Sequence, residues 1–241
     1  YGIIDIEGKK ITNPIYEDID TLQFKEGELL VKKDGKYGVI NIKGTTIVKT
    51  QYDGIESDRY YEEEAGYKKS GYIVSKTTDE GYRYGYVNIE GKQIIENKYN
   101  DLYRVTDINS KNVYIICAEN GQYGLMKDGK QIINNEYQSL VYNESNDTIT
   151  ALKGKKYGVF SIDGKQIVPF EYKQIDTTGE YIYATSNDEN VKIFDTDGKE
   201  ANIDSNLAIL DVENTDYKIY INTADGKTIY TIYKNGKAIT K

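Results

Sequence analysis

Internal repetition constrains this chain more than any other property. The segment YGVFSIDGKQIVPFEYKQI, residues 157–175, restates YGVINIKGTTIVKTQYDGI, residues 37–55. Turn glycines keep the register at Gly8, Gly44, Gly91, Gly129, Gly164, Gly198 and Gly236, at intervals of 36, 47, 38, 35, 34 and 38 residues. Such a period is the mark of a repeat architecture, in which one unit cannot close a core alone and must stack on its neighbours.

Each unit carries the same chemistry at the same offsets. The residue before the glycine is Glu7, Lys43, Glu90, Asp128, Asp163, Asp197 or Asn235. Asp-Gly and Asn-Gly predict a type I′ hairpin, whose central residues need positive φ. An apolar residue stands three places after the glycine (Ile11, Ile47, Ile94, Ile132, Ile167, Ala201, Ile239). A tyrosine stands eight places after it (Tyr16, Tyr52, Tyr99, Tyr137, Tyr172), with Asn206 replacing it in the sixth unit. Ile19, Ile55, Leu102, Leu140, Ile175 and Ile209 stand eleven places after it. Ahead of the glycine, a Tyr-Gly pair opens a strand at Tyr1, Tyr37, Tyr84, Tyr123 and Tyr157. Period-two alternation there predicts Ile40 and Ile42 on one face, Asn41 and Lys43 on the other. The fourth unit is one residue shorter between its tyrosine and its glycine, which predicts a tighter turn or a bulge.

With a further strand such as GELLVKKD (27–34), NVYIICAE (112–119) or DTITALKG (147–154), each unit holds about four short strands and no amphipathic helix. The 25 Tyr against 4 Phe fit half-buried strand positions, where the ring packs and the hydroxyl stays wet. The expectation is one all-β domain over 1–241, built of six to seven hairpin repeats, with degenerate repeats from about residue 176. A closed or nearly closed propeller-like array is favoured, and an open β-solenoid is the alternative. The pattern opens midway through a unit and without Met, so a segment upstream of Tyr1 is expected.

Function is constrained mainly by exclusion. A net charge of −8 with lysines dispersed among acids provides no electrostatic footprint for nucleic acid. No apolar run approaches the roughly 20 residues that span a bilayer. Histidine is absent, which removes the commonest general base and metal ligand. Cys117, the single cysteine, sits among apolar residues and reads as a core position. Asp195-Thr196-Asp197-Gly198 resembles half a calcium loop, but the remaining ligands are missing and the glycine already belongs to the hairpin register. No phosphate loop or nucleophile motif occurs. No catalytic, cofactor or metal site is expected, and the chain is not expected to be an enzyme. The second interval carries about 11 extra residues, read as an inserted loop at 57–71. Tyr60, Tyr61 and Tyr67 in it are the candidate partner contacts, because loops on rigid scaffolds carry function.

These residues resemble the WG-repeat, or KWG-repeat, family. GKYGVINIKG (35–44) and KKYGVFSIDGKQIVPFEY (155–172) follow its unit closely, and Pro169 and Pro14 fall at or beside the family's proline. Tyr1, Tyr37, Tyr84, Tyr123 and Tyr157 occupy the position of the signature tryptophan, which is wholly lost. The resemblance implies a bacterial, non-enzymatic binding or scaffold module without cofactors. The expected partner is a protein, with a carbohydrate or cell-wall glycan as the alternative. A cell-surface or secreted location is the weaker implication. The Tyr-Gly tyrosines are expected to pack one repeat against the next, and clusters of exposed tyrosine in grooves between units would instead favour a glycan.

Overall fold

The computed structural model describes all residues except 22–26, 63–65, 106–111, 178–180, 202–206, 212–216, 225–226, 235–236 and 239–241. The side chains of 60–62, 67 and most of 207–238 also lie outside the described set. Every regular element described is a β-strand. The chain divides into two compact units, Tyr1–Leu140 and Val141–Lys241.

The first unit opens on a short hairpin bridged at Ile4 and Lys10. Three four-stranded antiparallel sheets follow, each in sequential order. The first is β1 (Asp18–Asp20), β2 (Glu28–Lys33), β3 (Lys36–Asn41) and β4 (Thr46–Tyr52). The second is β5 (Gly54–Glu62), β6 (Gly66–Thr78), β7 (Gly81–Asn88) and β8 (Gln93–Tyr99). The third is β9 (Asp101–Arg104), β10 (Tyr114–Glu119), β11 (Gln122–Lys127) and β12 (Lys130–Tyr137). Single residues, Asp53 and Asn100, link one sheet to the next. Both links donate their backbone N–H to the second strand ahead, at Ser75 O and Ala118 O, each at 2.8 Å.

The next sheet, of the second unit apart from the first two residues of β13, holds β13 (Ser139–Asn143), β14 (Thr148–Lys153), β15 (Lys156–Ser161) and β16 (Gln166–Tyr172). A three-stranded sheet follows: β17 (Gln174–Asp176), β18 (Ile182–Thr185) and β19 (Val191–Phe194). The last sheet is β20 (Leu207–Asp211), β21 (Tyr217–Ala224), β22 (Lys227–Lys234) and β23 (Lys237–Ala238). The turn expected at Gly236, and Asn206 in the sixth unit, lie outside the described residues.

The register turns differ from the type I′ expectation. At Gly44 the glycine N–H bonds to Asn41 O at 2.8 Å, and the Asn41 N–H bonds to Thr45 O at 2.9 Å. The residue before Gly44 has negative φ and Gly44 itself has φ +79°, a type I turn closed by a left-handed glycine. Gly8, Gly91, Gly164 and Gly198 repeat this hydrogen-bond pattern. Among the described register turns only that of the short fourth unit is a two-residue turn of the expected kind, with Asp128 at φ 51° and Gly129 at φ 77°. The missing residue there is the difference between the two turn types. The same two-residue turn joins β2 to β3 at Asp34-Gly35 and β10 to β11 at Asn120-Gly121.

This turn geometry also corrects the alternation read for Ile42. Ile40 lies in β3 and is 1% exposed, whereas Ile42 lies past the end of the strand and is 56% exposed. Period two holds only while the chain is extended.

The two repeat tyrosines are cross-strand partners. Tyr37 pairs with Tyr52, Tyr84 with Tyr99, Tyr123 with Tyr137 and Tyr157 with Tyr172. The register then shifts at a bulge opposite the glycine that follows the first tyrosine. A Cβ on Gly38 would lie 2.7 Å from Val48 O and from Thr50 N, so only glycine admits the bulged strand. In the second and third sheets Asn97 and Asn135 sit in the bulge. The Asn97 Nδ2 donates to Val74 O at 2.9 Å and Arg83 O at 3.1 Å, and Asn135 Nδ2 donates to Cys117 O at 2.8 Å.

The core lies between successive sheets. One cluster joins Val39, Val48 and Tyr52 to Tyr72 and Val74, with Tyr37 packed against it. A second joins Tyr86, Ile95 and Tyr99 to Leu102, Ile115 and Cys117, with Tyr84 against it. A third, in the second unit, joins Val159, Val168 and Tyr172 to Ile182, Ala184 and Phe194. The repeat tyrosines therefore pack sheet against sheet. Tyr52, Tyr99, Tyr137 and Tyr172 are buried and their Tyr-Gly partners half-buried, whereas in the first repeat Tyr16 is half-buried and Tyr1 exposed.

Candidate functional site

The insertion at 57–71 is paired strand for most of its length, not a loop. β5 and β6 pair from Gly54↔Ser75 out to Glu62↔Gly66, whereas β6 meets β7 only from Gly71↔Asn88 inward. Residues beyond Gly71 toward the hairpin end therefore form a two-stranded arm that outruns its sheet. Tyr60 and Tyr61 lie on β5 and Tyr67 on β6, with Tyr61 opposite Tyr67 and Tyr60 opposite Lys68. The side chains of these three candidates are outside the described residues, as are Glu63 and Glu64.

The base of the arm holds the densest buried polar chemistry of the described chain. Asp58 pairs with Gly71 and Arg59 with Lys69, which leaves Ser70 as an extra residue at a bulge. Asp58 Oδ2 accepts from Ser70 Oγ at 2.5 Å, Tyr86 OH at 2.5 Å and Arg104 Nη1 at 2.9 Å. Arg104 Nη1 also donates to Ser70 Oγ at 2.5 Å. Asp58 and Arg104 are 7% and 8% exposed. Burial, reinforced by the Asp58 charge, pushes the Tyr86 phenol well above the ordinary tyrosine range. On the opposite face of β6, Lys69 forms an ion pair with Glu28 of the first sheet, and Tyr72 OH donates to Glu28 Oε2 at 2.8 Å. Lys69 Nζ also lies 4.9 Å from the Tyr72 ring centroid.

Sequence reasoning missed Arg104, Glu28 and Ser70. The available signal was compositional: Arg59, Arg83 and Arg104 are the arginines of a lysine-rich chain. Arginine suits a buried multi-contact ion pair better than lysine.

A cleft of about 310 Å³ opens between the first two sheets, with Asp18, Asp20 and Glu56 on its walls beside Lys32 and Tyr37. Lys32 Nζ lies 5.3 Å from the centre of the Tyr37 ring, so a cation already covers one ring face. From the second sheet on, the described repeat tyrosines pack in or against the core, and the exposed tyrosines described are Tyr1 of the first repeat, Tyr82, Tyr103 and Tyr230. They come from different parts of the chain: Tyr1 precedes the first strand, Tyr82 is on β7, Tyr103 on β9 and Tyr230 on β22. Asp53, the link residue, accepts from Lys36 Nζ at 2.5 Å and from the Thr77 N–H at 2.8 Å, contacts that lower its pKa.

The remaining sequence candidates are structural. Cys117 is fully buried, and desolvation raises its thiol pKa. Asp195 Oδ1 accepts from the Asp197 and Lys199 amides at 3.1 and 2.8 Å, the same turn-capping role that Asp5 and Asn41 have at their turns. Among the described residues no three His, Cys, Asp or Glu side chains gather to hold a metal, and no helix is long and apolar enough to cross a membrane.

Residues 1–37, 37–71 and 84–122 match the family described as WG containing repeat. No curated protein matches the sequence. Among solved structures, a computationally designed protein, Ika8, is similar at 13% identity and TM-score 0.33, covering 92% of this chain and 73% of its own. A eukaryotic initiation factor is similar at 10% identity and TM-score 0.36, covering 96% and 79%. Hsv2p of Kluyveromyces lactis is similar at 12% identity and TM-score 0.34, covering 93% and 86%. Similarities at this level carry no argument about architecture or role.

Proposed function

On the premise of the WG-repeat matches over residues 1–37, 37–71 and 84–122, we propose that the protein is a non-enzymatic interaction module that binds a protein partner through the β5–β6 arm. The observation that carries this reading is the arm itself. It outruns its sheet, and its base is tied on both faces by polar contacts, buried at Asp58–Arg104 and half-buried at Lys69–Glu28. The arm carries Tyr60, Tyr61 and Tyr67 on its two strands, and tyrosine is a residue type that gives large contact area at little ordering cost on binding. The glycan alternative finds less support, because the repeat tyrosines are spent on sheet-to-sheet packing and a lysine covers the Tyr37 ring in the cleft.

The finer architecture is part of the same proposal: the successive sheets act as blades of a propeller-like array, with an open β-solenoid as the alternative. Sequential meanders of three or four strands, most of them joined by single-residue links, support it.

The test is a choice of ligand class. The whole chain is immobilised and exposed in parallel to a displayed random-peptide library and to an array of glycans and soluble peptidoglycan fragments. Enrichment of peptides with a blank saccharide panel is the expected result. Saccharide binding without peptide enrichment would overturn the protein-partner reading and establish the alternative.

A further inference from the structure

We infer that Asp58, Ser70, Tyr86 and Arg104 form a positioning node that fixes the direction of the β5–β6 arm. The inference rests on the arm being the recognition element, and it names the residues that prepare it for that role.

Four observations converge on this node. First, it joins three strands of one sheet to the next sheet: Asp58 is on β5, Ser70 on β6, Tyr86 on β7 and Arg104 at the end of β9. Second, it sits where the arm leaves the sheet, because the last β6–β7 pair is Gly71↔Asn88 and Ser70 is the next residue outward. Third, the bulge is what delivers Ser70. Tyr72 faces the first sheet and Tyr86 the third, as their separate core clusters show. Simple alternation would turn Ser70 to the Tyr72 side, and the extra residue turns it to Tyr86 instead, 3.1 Å from the phenol oxygen. Fourth, Gly71 is the only kind of residue the node tolerates beside it. A Cβ there would lie 2.6 Å from Tyr86 OH and 2.5 Å from Val87 O.

The node therefore couples the bend of the arm to a charge pair that cannot slide. Asp58 Oδ2 takes three hydrogen bonds, and moving the arm base sideways breaks them together. A buried carboxylate without its guanidinium is unfavourable, so intermediate arm positions are disfavoured. The Lys69–Glu28 pair holds the other face of β6. The insertion carries its own anchors, Asp58, Lys69 and Ser70, and borrows Glu28, Tyr86 and Arg104 from the repeats on either side.

The experiment is amide hydrogen exchange on the full chain, read without any ligand. Exchange in Arg59–Glu62 and Gly66–Lys69 is compared with exchange in Gly85–Val87 of the same sheet. In Arg104→Met the arm amides should exchange at least about 10-fold faster while the β7 amides change by less than about 2-fold. Ser70→Ala leaves no unpaired charge, so it decides the matter should Arg104→Met not fold. It should speed the arm by about 3-fold or more and leave β7 unchanged. Unchanged arm exchange in Ser70→Ala, or equal acceleration of arm and β7, would overturn the node as a positioning device. Since no partner enters this readout, its failure is separate from failure of the peptide selection.

Discussion

Two residue types carry the repeat, and each is required for a distinct physical reason. The register glycines combine a left-handed backbone with close approach to the preceding repeat. A Cβ on Gly91, at φ +79°, would lie 2.0 Å from Ile47 O, and one on Gly129 would lie 2.6 Å from Ile94 O. The apolar residue three places after one glycine is thus the floor on which the next glycine rests. Gly121 is also left-handed but has nothing within 4 Å. Gly121→Ala should lose only the conformational cost of about 1–2 kcal/mol. Gly91→Ala should lose clearly more in the same urea titration, and equal losses would remove the stacking role. The buried tyrosines fill the space between sheets, so Tyr99→Ala should cost about 3–5 kcal/mol, read as a drop in unfolding free energy. Their phenols also predict alkaline behaviour. Burial and the adjacent Glu136 and Glu171 carboxylates push Tyr137 and Tyr172 up to about 12. The unfolded phenol ionises near 10. Between those values the folded chain keeps protons that the unfolded chain releases, so stability present below about pH 10 is lost as pH rises through about 12. Urea midpoints should fall across that window, together with late-titrating phenolate absorbance. A flat midpoint would contradict the assignment.

At the scale of elements, the strands were legible because their signals are local. Tyr-Gly, the turn glycine and the apolar positions three and eleven places beyond it mark β3, β4 and β5 directly, and the same marks hold in later sheets. The turn type was not legible. Asp-Gly in the fourth unit is the two-residue turn it suggests, but the same pair at Asp163-Gly164 closes a longer turn, because the extra residue before it sets the register. The cross-strand tyrosine pairs were half legible: both positions stood out, but their pairing depends on a bulge that only tertiary contact reveals. The candidate site was the least legible. Tyr60, Tyr61 and Tyr67 were visible as composition, whereas the residues that orient them are ordinary in sequence and meet only across strands and sheets. Arg104 is 46 residues from Asp58, a separation no local pattern encodes.

At the scale of the whole molecule, a repeated scaffold carries one irregular element, the β5–β6 arm. Each unit repeats three- or four-stranded sheets, and the described core clusters lie between neighbouring sheets, which is why no single repeat suffices. The arm is where the interval lengthens to 47 residues, and it is the feature the proposed binding role depends on. The decisive measurement replaces residues 60–68 by Asn-Gly, so that the existing Arg59↔Lys69 pair closes the turn and Asp58, Lys69 and Ser70 stay in place. A peptide selected on the intact protein is then titrated calorimetrically into both forms. The account predicts an unchanged melting temperature, within about 2 °C, and loss of peptide binding by at least about 100-fold, near 2.7 kcal/mol. Equal affinity for the trimmed and intact proteins would contradict the assignment of recognition to the arm.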